Sequence, residues 1–168
     1  QLLEDLGESP DLLVIHCSVD YDIAAVVEMV QSLTPEVAIH GGTSCRGVMT
    51  QAGVASLNGT GLAMLAIADN DGSFGVGAAA IDIDPTLAAQ TAVLQALADA
   101  NCPGEVPAMV WLTAVPGHEE ELLAGIAAVL GEDVPVAGGS SADNHLDGSW
   151  RQFTAHGVYQ DAVVVTVL

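Results

Sequence analysis

Two short glycine-rich segments carry the residue types best suited to binding a small polar ligand. GGTSCRG covers residues 41–47, and GGSSADN covers residues 138–144. Adjacent glycines let a ligand approach the backbone, while hydroxyl side chains both donate and accept hydrogen bonds. The candidate ligand-binding residues are Gly41, Gly42, Thr43, Ser44, Arg46, Gly138, Gly139, Ser140, Ser141, Asp143 and Asn144. Paired glycines also serve tight turns and close packing, so the two interpretations stand side by side.

Charged and amide side chains in these segments indicate which ligand chemistry to expect. Arg46 is one of only two strong bases in a chain with 22 acidic residues. A guanidinium can clamp a carboxylate with two hydrogen bonds, which predicts an amino acid or an organic acid as ligand. An internal salt bridge is the alternative role for Arg46. Asp143 and Asn144 can hold an ammonium or hydroxyl group, or can cap the turn.

Histidines offer a second chemistry, the ligation of a metal ion or of haem iron. We expect four of the five histidines near the same edge of the fold, and any of them is a candidate axial ligand. These candidates are His16, His40, His118 and His145. The spacings HxH, HxxxH and HExxH are absent, so hydrogen-bonded structural histidines are the alternative and we expect no bound metal or cofactor.

Thiol chemistry is a third possibility. Cys17 or Cys45 can act as a nucleophile if His16 or His40 serves as its base, and Ser44 can pair with a histidine in the same way. No GxSxG sequence surrounds Ser44. Three widely spaced cysteines favour neither a disulfide framework nor a CxxC site. Buried inert thiols are the alternative, and we expect the chain not to be an enzyme.

The elements that position these residues follow from hydrophobic patterning. Continuous apolar runs predict strands covered on both faces, and apolar residues at helical spacing predict helices between them. Two strand-helix-strand units result. The predicted elements are Leu12–Cys17, Ile23–Leu33 and Val37–His40 in the first unit, and Ala108–Val115, Glu119–Leu130 and Val134–Ala137 in the second. Ligands gather beyond the carboxyl ends of such parallel strands, where both glycine-rich segments are predicted to form loops.

Later strands complete each unit. The turn sequence Asn70-Asp71-Gly72 predicts an antiparallel hairpin between Leu62–Ala68 and Ser73–Ile81. A helix is predicted over Thr86–Ala100, after Pro85. In the second unit, Gln152–Tyr159 is predicted to pair with Asp161–Val167.

Matching positions in the two units predict an internal duplication. The glycine-rich segments start at residues 41 and 138, and the late apolar strands start at residues 62 and 162. We therefore expect one domain over residues 1–168, with pseudo-repeats at approximately 10–84 and 106–168. The predicted fold class is α/β, with internally duplicated strand-helix-strand-hairpin units forming mixed β-sheets flanked by helices.

Composition narrows the range of partners. With a net charge of −20 and no lysine, the chain would repel nucleic acid and anionic membranes. No apolar run approaches the roughly 20 residues that a membrane-spanning helix needs. The N-terminus also lacks the basic region of a secretory signal. These features predict a cytoplasmic protein that neither binds nucleic acid nor inserts into a membrane.

Several motifs, in order along nearly the whole chain, resemble the N-terminal part of the FIST family of sensory domains. They are PDLLVIHCS at 10–18, GGTSCRGVMT at 41–50, TAVPGHEEELLAGI at 113–126, VPVAGGSSADN at 134–144, and WRQF…GVYQDAVVVTVL at 150–168. The resemblance implies a sensory input domain of a signal-transduction protein, whose ligand is an amino acid or a related small polar metabolite. It implies as partners a C-terminal FIST companion region and a signalling output domain or kinase.

Three alternatives to this function remain at the level of sequence. Some members of the family are reported as haem-binding nitric oxide sensors, so a haem-binding gas sensor is one. A thiol-dependent enzyme and a pure protein-interaction module are the others. The family resemblance assigns no ligand residue in this chain, so the candidate site rests on the two glycine-rich segments.

Overall fold

The structure is a computed structural model that describes residues 2–82 and 84–168. Within these residues the chain forms four helices and eleven strands. The helices are α1 (Leu2–Leu6), α2 (Ile23–Leu33), α3 (Pro85–Asp99) and α4 (Glu119–Leu130). The strands are β1 (Leu12–Ser18), β2 (Ala38–Ser44), β3 (Val48–Thr50), β4 (Gly53–Ala55), β5 (Leu62–Ile67), β6 (Gly75–Ala80), β7 (Val110–Ala114), β8 (Val136–Ser140), β9 (Gln152–Thr154), β10 (Gly157–Tyr159) and β11 (Ala162–Val167). Residue 1 of the expected domain and residue 83 of the first expected pseudo-repeat lie outside the described residues.

Two mixed sheets form the centre of the fold. One has five strands in the order β10-β9-β2-β1-β5, and the other has four in the order β6-β11-β7-β8. The pairs β1–β2 and β7–β8 are parallel, and the remaining pairs are antiparallel. β3 and β4 form a separate two-stranded hairpin. The α/β fold class with mixed sheets and flanking helices is therefore confirmed.

Side chains divide the molecule into four layers. Apolar residues of α2 and of one face of the five-stranded sheet form one core cluster. Residues of α3, α4 and one face of the four-stranded sheet form a second cluster. The remaining faces of the two sheets pack against each other around His40. Its Nδ1 lies 2.7 Å from the Thr166 hydroxyl, and its Nε2 lies 2.7 Å from the Thr113 hydroxyl. None of the described helices is long and apolar enough to cross a bilayer.

Local sequence sets where the longer helices begin. The Asp22 carboxylate accepts a hydrogen bond from the Ala25 amide, which caps α2 at its N-terminus. Asp84 caps α3 in the same way through the Leu87 amide, with Pro85 in the first turn. These helices then cover the sheets that carry the glycine-rich segments.

The hairpin predicted between Leu62–Ala68 and Ser73–Ile81 is wrong. β5 pairs with β1, and β6 pairs with β11 in the other sheet. The glycines of β6 explain this choice, because a Cβ on Gly75 or Gly77 would lie about 2 Å from a backbone carbonyl of α3 (2.1 and 2.0 Å). β6 therefore fits closely under α3 and joins the sheet that α3 covers.

The pairing of Gln152–Tyr159 with Asp161–Val167 is also wrong. Residues 152–159 turn back on themselves to form β9 and β10, and β9 pairs with β2. β11 is a fully buried strand that lies between β6 and β7. Both of its edges are thus occupied by other strands, which leaves no place for residues 152–159.

The two strand-helix-strand units share one plan. In each, a parallel pair (β1–β2 or β7–β8) is followed by a short hairpin (β3–β4 or β9–β10). A last strand, β5 or β11, returns antiparallel to the first strand of the unit. The duplication itself stays a prediction.

Candidate functional site

Three adjoining pockets form a groove beside the ends of β2 and β8. The outer pocket has a volume of about 440 Å³ and is lined by Asp20, Arg46, Ser56, Asn58, Gly59, Thr60, Asn144 and His145. The middle pocket, of about 610 Å³, shares Arg46 with the outer one. The inner pocket, of about 590 Å³, shares His16, Met49 and Trp111 with the middle one. Its other lining residues are Thr43, Thr113, Gly138, Gly139, Ser140 and Ser141.

The structure brings the two glycine-rich segments together at this groove. The Ala142 amide donates to the Thr43 carbonyl at 2.9 Å. The Arg46 amide donates to the Asn144 side-chain oxygen at 2.6 Å. Much of each segment is strand rather than the predicted loop, since β2 extends to Ser44 and β8 covers residues 136–140.

The outer pocket places opposite charges near each other. Arg46 has a positive φ of 56° and an exposed side chain. Its backbone is held by Asn144 and Ser56, while its guanidinium makes no ion pair or hydrogen bond with any residue in the described part of the chain. Asp20 lies in the same pocket, where its Oδ2 accepts from Asn144 Nδ2 at 2.7 Å. A free cation thus faces a pocket that also holds an anchored carboxylate.

The inner pocket contains a buried hydroxyl without a partner. The Ser141 side chain is almost fully buried, and its Oγ has no hydrogen-bond partner among residues 2–82 and 84–168. An unpaired buried hydroxyl costs roughly 1–3 kcal/mol unless water or a ligand supplies the bond. Ser141 lines the inner pocket, so its buried hydroxyl lies next to the space that a bound molecule would fill.

The glycines of the predicted site differ in the space that surrounds them. A Cβ on Gly41 would lie 2.1 Å from the Phe153 ring, and one on Gly42 would lie 2.4 Å from Thr113 Cγ2. A Cβ on Gly138 would lie 1.9 Å from the Leu112 carbonyl oxygen. A Cβ on Gly139, in contrast, would meet nothing within 4 Å. Close packing explains the first three glycines, and Gly139 leaves open space on the groove.

Asp143 and Ser140 have internal partners. The Asp143 carboxylate accepts hydrogen bonds from the backbone amides of residues 145, 146, 148 and 149. Burial alone would raise the pKa of Asp143, but these amides outweigh it and lower the pKa. The Ser140 hydroxyl donates to Glu119 Oε1 at 2.6 Å, which lowers the pKa of Glu119. Asp143 therefore stabilises the loop that follows it. Ser140 links the end of β8 to the start of α4.

The four candidate haem ligands lie in different places. His16 lines the groove, and burial lowers its pKa, so its imidazole is neutral at pH 7. Burial, with a contribution from nearby His16, lowers the pKa of His40 to about 3. His118 precedes α4, and His145 lines the outer pocket. Both ring nitrogens of His40 are hydrogen-bonded, so its imidazole is not free to bind iron.

The three thiols differ in their exposure, and the acids form no metal-binding cluster within the described residues. Cys17 is buried, and burial raises the pKa of its thiol to about 11, so it is protonated at neutral pH. Cys45 is exposed, and Cys102 is partly buried. No group of three or more His, Cys, Asp or Glu suitable for a metal ion occurs within the described residues.

Sequence reasoning missed several groove residues, among them Asp20, Met49 and Trp111. Asp20 precedes Asp22, the N-cap of α2, and it lines the outer pocket. Met49 and Trp111 line both deeper pockets. Alternation along β7 offered a signal for Trp111, because Val110 and Leu112 pack under the helices and Trp111 points to the other face. Nothing local marked Met49.

Comparisons with known proteins identify a family, and remote solved structures also match, among them a hydrolase. Residues 11–168 match the family model described as the FIST N domain. The crystal structure of a cyanuric acid hydrolase from A. caulinodans matches at 12% sequence identity with a TM-score of 0.45. That match covers 98% of this chain, which spans 61% of the hydrolase chain. No curated protein sequence matches.

Proposed function

The chain belongs to the FIST N domain family, and on this basis we propose that it is the small-molecule-binding input domain of a signal-transduction protein. Its ligand is a small polar metabolite with a carboxylate and an ammonium group, as in an amino acid. The ligand binds in the groove beside β2 and β8 and is not chemically changed there. The protein acts in the cytoplasm, next to a C-terminal FIST companion region and an output domain or kinase.

The observation that carries this proposal is the free guanidinium of Arg46 in a pocket that also holds Asp20. Arg46 can clamp a carboxylate, since its side chain is paired with none of the described residues. Asp20 Oδ2 is held by Asn144 and, at 3.5 Å, by the Thr60 hydroxyl. That anchoring leaves Oδ1 for an ammonium group. A zwitterion would thus place each of its charges opposite a group of the other sign.

Specificity beyond the two charges comes from the deeper pockets. Neutral His16, Trp111, Met49 and the Ser141 hydroxyl line the inner pocket, which has no Asp, Glu, Lys or Arg in its lining. Such a lining favours an uncharged ligand side chain with a polar group. A ligand signals only if it prefers one arrangement of the protein. Because residues of both sheets line the groove, a bound ligand would favour one packing of β2 against β8.

Calorimetric titration of the domain with amino acids tests this function. Arg46→Gln removes the clamp, and losing charge-assisted hydrogen bonds worth about 1.5–3 kcal/mol would weaken binding by roughly 10- to 100-fold. Arg151→Gln is the matched control, because the Arg151 guanidinium donates to the Trp150 carbonyl and does not line the groove.

The same titration with altered ligands separates the two charges. We expect Asp20→Asn to weaken binding of the amino acid but not of the corresponding acid that lacks the amine. Equal losses in Arg46→Gln and Arg151→Gln would contradict the clamp. If no amino acid or organic acid bound to the intact domain, the ligand class would be wrong.

A further inference from the structure

Thr113, His40 and Thr166 form a buried hydrogen-bonded group between the two sheets. The Thr166 hydroxyl lies against Nδ1 of His40, and the Thr113 hydroxyl lies against Nε2. His40 and Thr166 are completely buried, and Thr113 is almost so. Neither hydroxyl has another hydrogen-bond partner among residues 2–82 and 84–168. The hydrogens of this group can therefore be counted.

The group holds one hydrogen more than its two hydrogen bonds use. A neutral imidazole donates through one ring nitrogen and accepts through the other. Burial lowers the pKa of His40 to about 3, so the ring is neutral at pH 7. One threonine therefore donates to the ring, and the other accepts from it. The threonine that accepts keeps its own hydroxyl hydrogen, which has no acceptor within the described part of the chain.

The surroundings of the two threonines decide which one keeps the unused hydrogen. Thr166 lies on β11, between β6 and β7, and it lines neither the outer, the middle nor the inner pocket. Thr113 lies on β7 and lines the inner pocket. A buried hydroxyl hydrogen without an acceptor costs free energy, whereas one beside a pocket can bond to water or to a ligand. The favourable arrangement leaves the unused hydrogen on Thr113.

A second hydroxyl close to Thr113 also lacks a partner. A Cβ on Gly42 would lie 2.4 Å from Thr113 Cγ2 and 3.1 Å from Ser141 Oγ, so both side chains lie against Gly42. Ser141 is 3% exposed, and its Oγ has no hydrogen-bond partner among the described residues. Two hydroxyls with unused hydrogen-bonding capacity thus lie near each other in the lining of the inner pocket.

The charge of the surroundings favours an uncharged ligand group at these hydroxyls. None of the described residues that line the inner pocket is Lys or Arg, and burial lowers the pKa of His16 in this lining, so its ring is neutral at pH 7. A carboxylate would lose hydration there without gaining a counter-charge, in a chain of net charge −20. A carboxamide is uncharged and presents an acceptor oxygen and a donor nitrogen as separate atoms.

We propose that His40 carries its hydrogen on Nε2, which fixes the Thr113 hydroxyl as a donor toward the inner pocket. There Thr113 binds the carboxamide oxygen of an amino acid such as asparagine or glutamine, and the carboxamide nitrogen donates to Ser141 Oγ. Thr113 and Ser141 are then specificity-determining residues, and His40 is a positioning residue that acts through Thr113. This inference rests on the proposed amino acid binding and names the side chain that the site selects.

The position of the hydrogen on His40 can be measured without any ligand. In protein labelled with ¹⁵N-histidine, long-range ¹H–¹⁵N spectra distinguish the ring nitrogen that carries a hydrogen from the one that does not. The signals of His40 are those that disappear in His40→Gln. We expect the hydrogen on Nε2 at pH 7. A hydrogen on Nδ1 would make Thr113 the donor to the ring and would overturn the proposal.

Calorimetric titration of the domain tests the selection of the ligand. Asparagine or glutamine should bind more tightly than glutamate, which adds a charge, and than methionine, which has no carbonyl in its side chain. Thr113→Val should weaken carboxamide binding about threefold to tenfold, the equivalent of one neutral hydrogen bond, and leave methionine binding unchanged. Thr113→Ser keeps the hydroxyl and should bind like the wild type. Thr166→Val is the matched control, because it removes the hydroxyl on the other side of the His40 ring and should leave the carboxamide preference in place.

The outcomes separate this inference from the proposed function. Amino acid binding that depends on Arg46 but shows no carboxamide preference would overturn the inference alone, as would a preference that Thr113→Val and Thr166→Val reduce equally. If no amino acid bound, the proposed function would fail as well. Should Thr113→Val not fold, Ser141→Ala takes its place, because it should reduce the same preference by a similar factor.

Discussion

His40 offers a quantitative test of how the two sheets are joined. The imidazole is fully buried between the sheets, with its two nitrogens against the hydroxyls of Thr113 and Thr166. Burial, with a contribution from His16, lowers its pKa from 6.5 to about 3. His40 is therefore neutral in the folded protein over the whole range from pH 7 to pH 5, whereas it becomes protonated in the unfolded chain.

The sign and size of the pH effect follow from this difference. Below pH 6.5 the unfolded chain binds a proton that the folded protein does not, so the free energy of unfolding falls as the pH falls. The contribution of His40 is complete above pH 6.5 and is lost progressively toward pH 3. At 1.36 kcal/mol per pH unit, the loss at pH 5 is about 2 kcal/mol.

Replacing His40 isolates this contribution from the acidic residues. Gln can still hydrogen-bond the two threonines but does not titrate, and the other titratable groups are shared with the wild type. We expect urea unfolding of His40→Gln to lose about 2 kcal/mol less stability than the wild type between pH 7.5 and pH 5. If the two proteins lost stability in parallel, His40 would not be buried in its neutral form and this account of the sheet interface would fail.

Three further predictions concern the groove and the thiols. Gly41→Ala should destabilise the fold by about 1–3 kcal/mol because its Cβ meets the buried ring of Phe153, while Gly139→Ala should leave chemical unfolding almost unchanged; equal effects would contradict their different roles. Ser141→Ala should keep or raise stability, by up to about 1 kcal/mol, yet weaken ligand binding, because it removes a buried hydroxyl that lacks a partner among the described residues. A large loss of stability would show that the hydroxyl is bonded in the free protein. Iodoacetamide labelling followed by mass spectrometry should modify exposed Cys45 long before buried Cys17, and rapid labelling of Cys17 would favour the thiol-enzyme alternative.

Local patterns were sufficient for the strand-helix-strand units. The apolar run at residues 12–17 and the helical spacing at residues 23–33 both correspond to observed elements, β1 and α2. Each of these elements depends on which of its own side chains are buried. The spacing of apolar residues in the sequence shows that burial pattern directly. The parallel pairing of β1 with β2 and of β7 with β8 follows from the helix that connects each pair.

Pairing between distant strands could not be predicted in this way. Asn70-Asp71-Gly72 is a good turn sequence, but it connects β5 and β6 across two different sheets. The deciding contacts are the close approaches of Gly75 and Gly77 to α3, which depend on tertiary packing. Local propensity does not record which sheet has a free edge for a strand.

The candidate site, too, was predictable where it depends on local sequence and not where it depends on tertiary packing. Both glycine-rich segments were predicted to lie together, and a backbone hydrogen bond from Ala142 to Thr43 joins them. Asp20 joins the site from the turn before α2, and Met49 from the separate hairpin. Their presence depends on how loops and sheets pack against each other, so no spacing in the sequence pointed to them.

The central claim is that a small polar ligand binds in the groove, and the two tryptophans allow it to be tested directly. Trp111 lines the middle and inner pockets, while Trp150, whose indole nitrogen is buried, lies outside the lining of all three pockets. The measurement is a ¹H–¹⁵N NMR titration with amino acids that follows both indole N–H signals. The account predicts that binding shifts the Trp111 signal in a saturable way and leaves the Trp150 signal in place. An unmoved Trp111 signal in the presence of calorimetrically detected binding would contradict it.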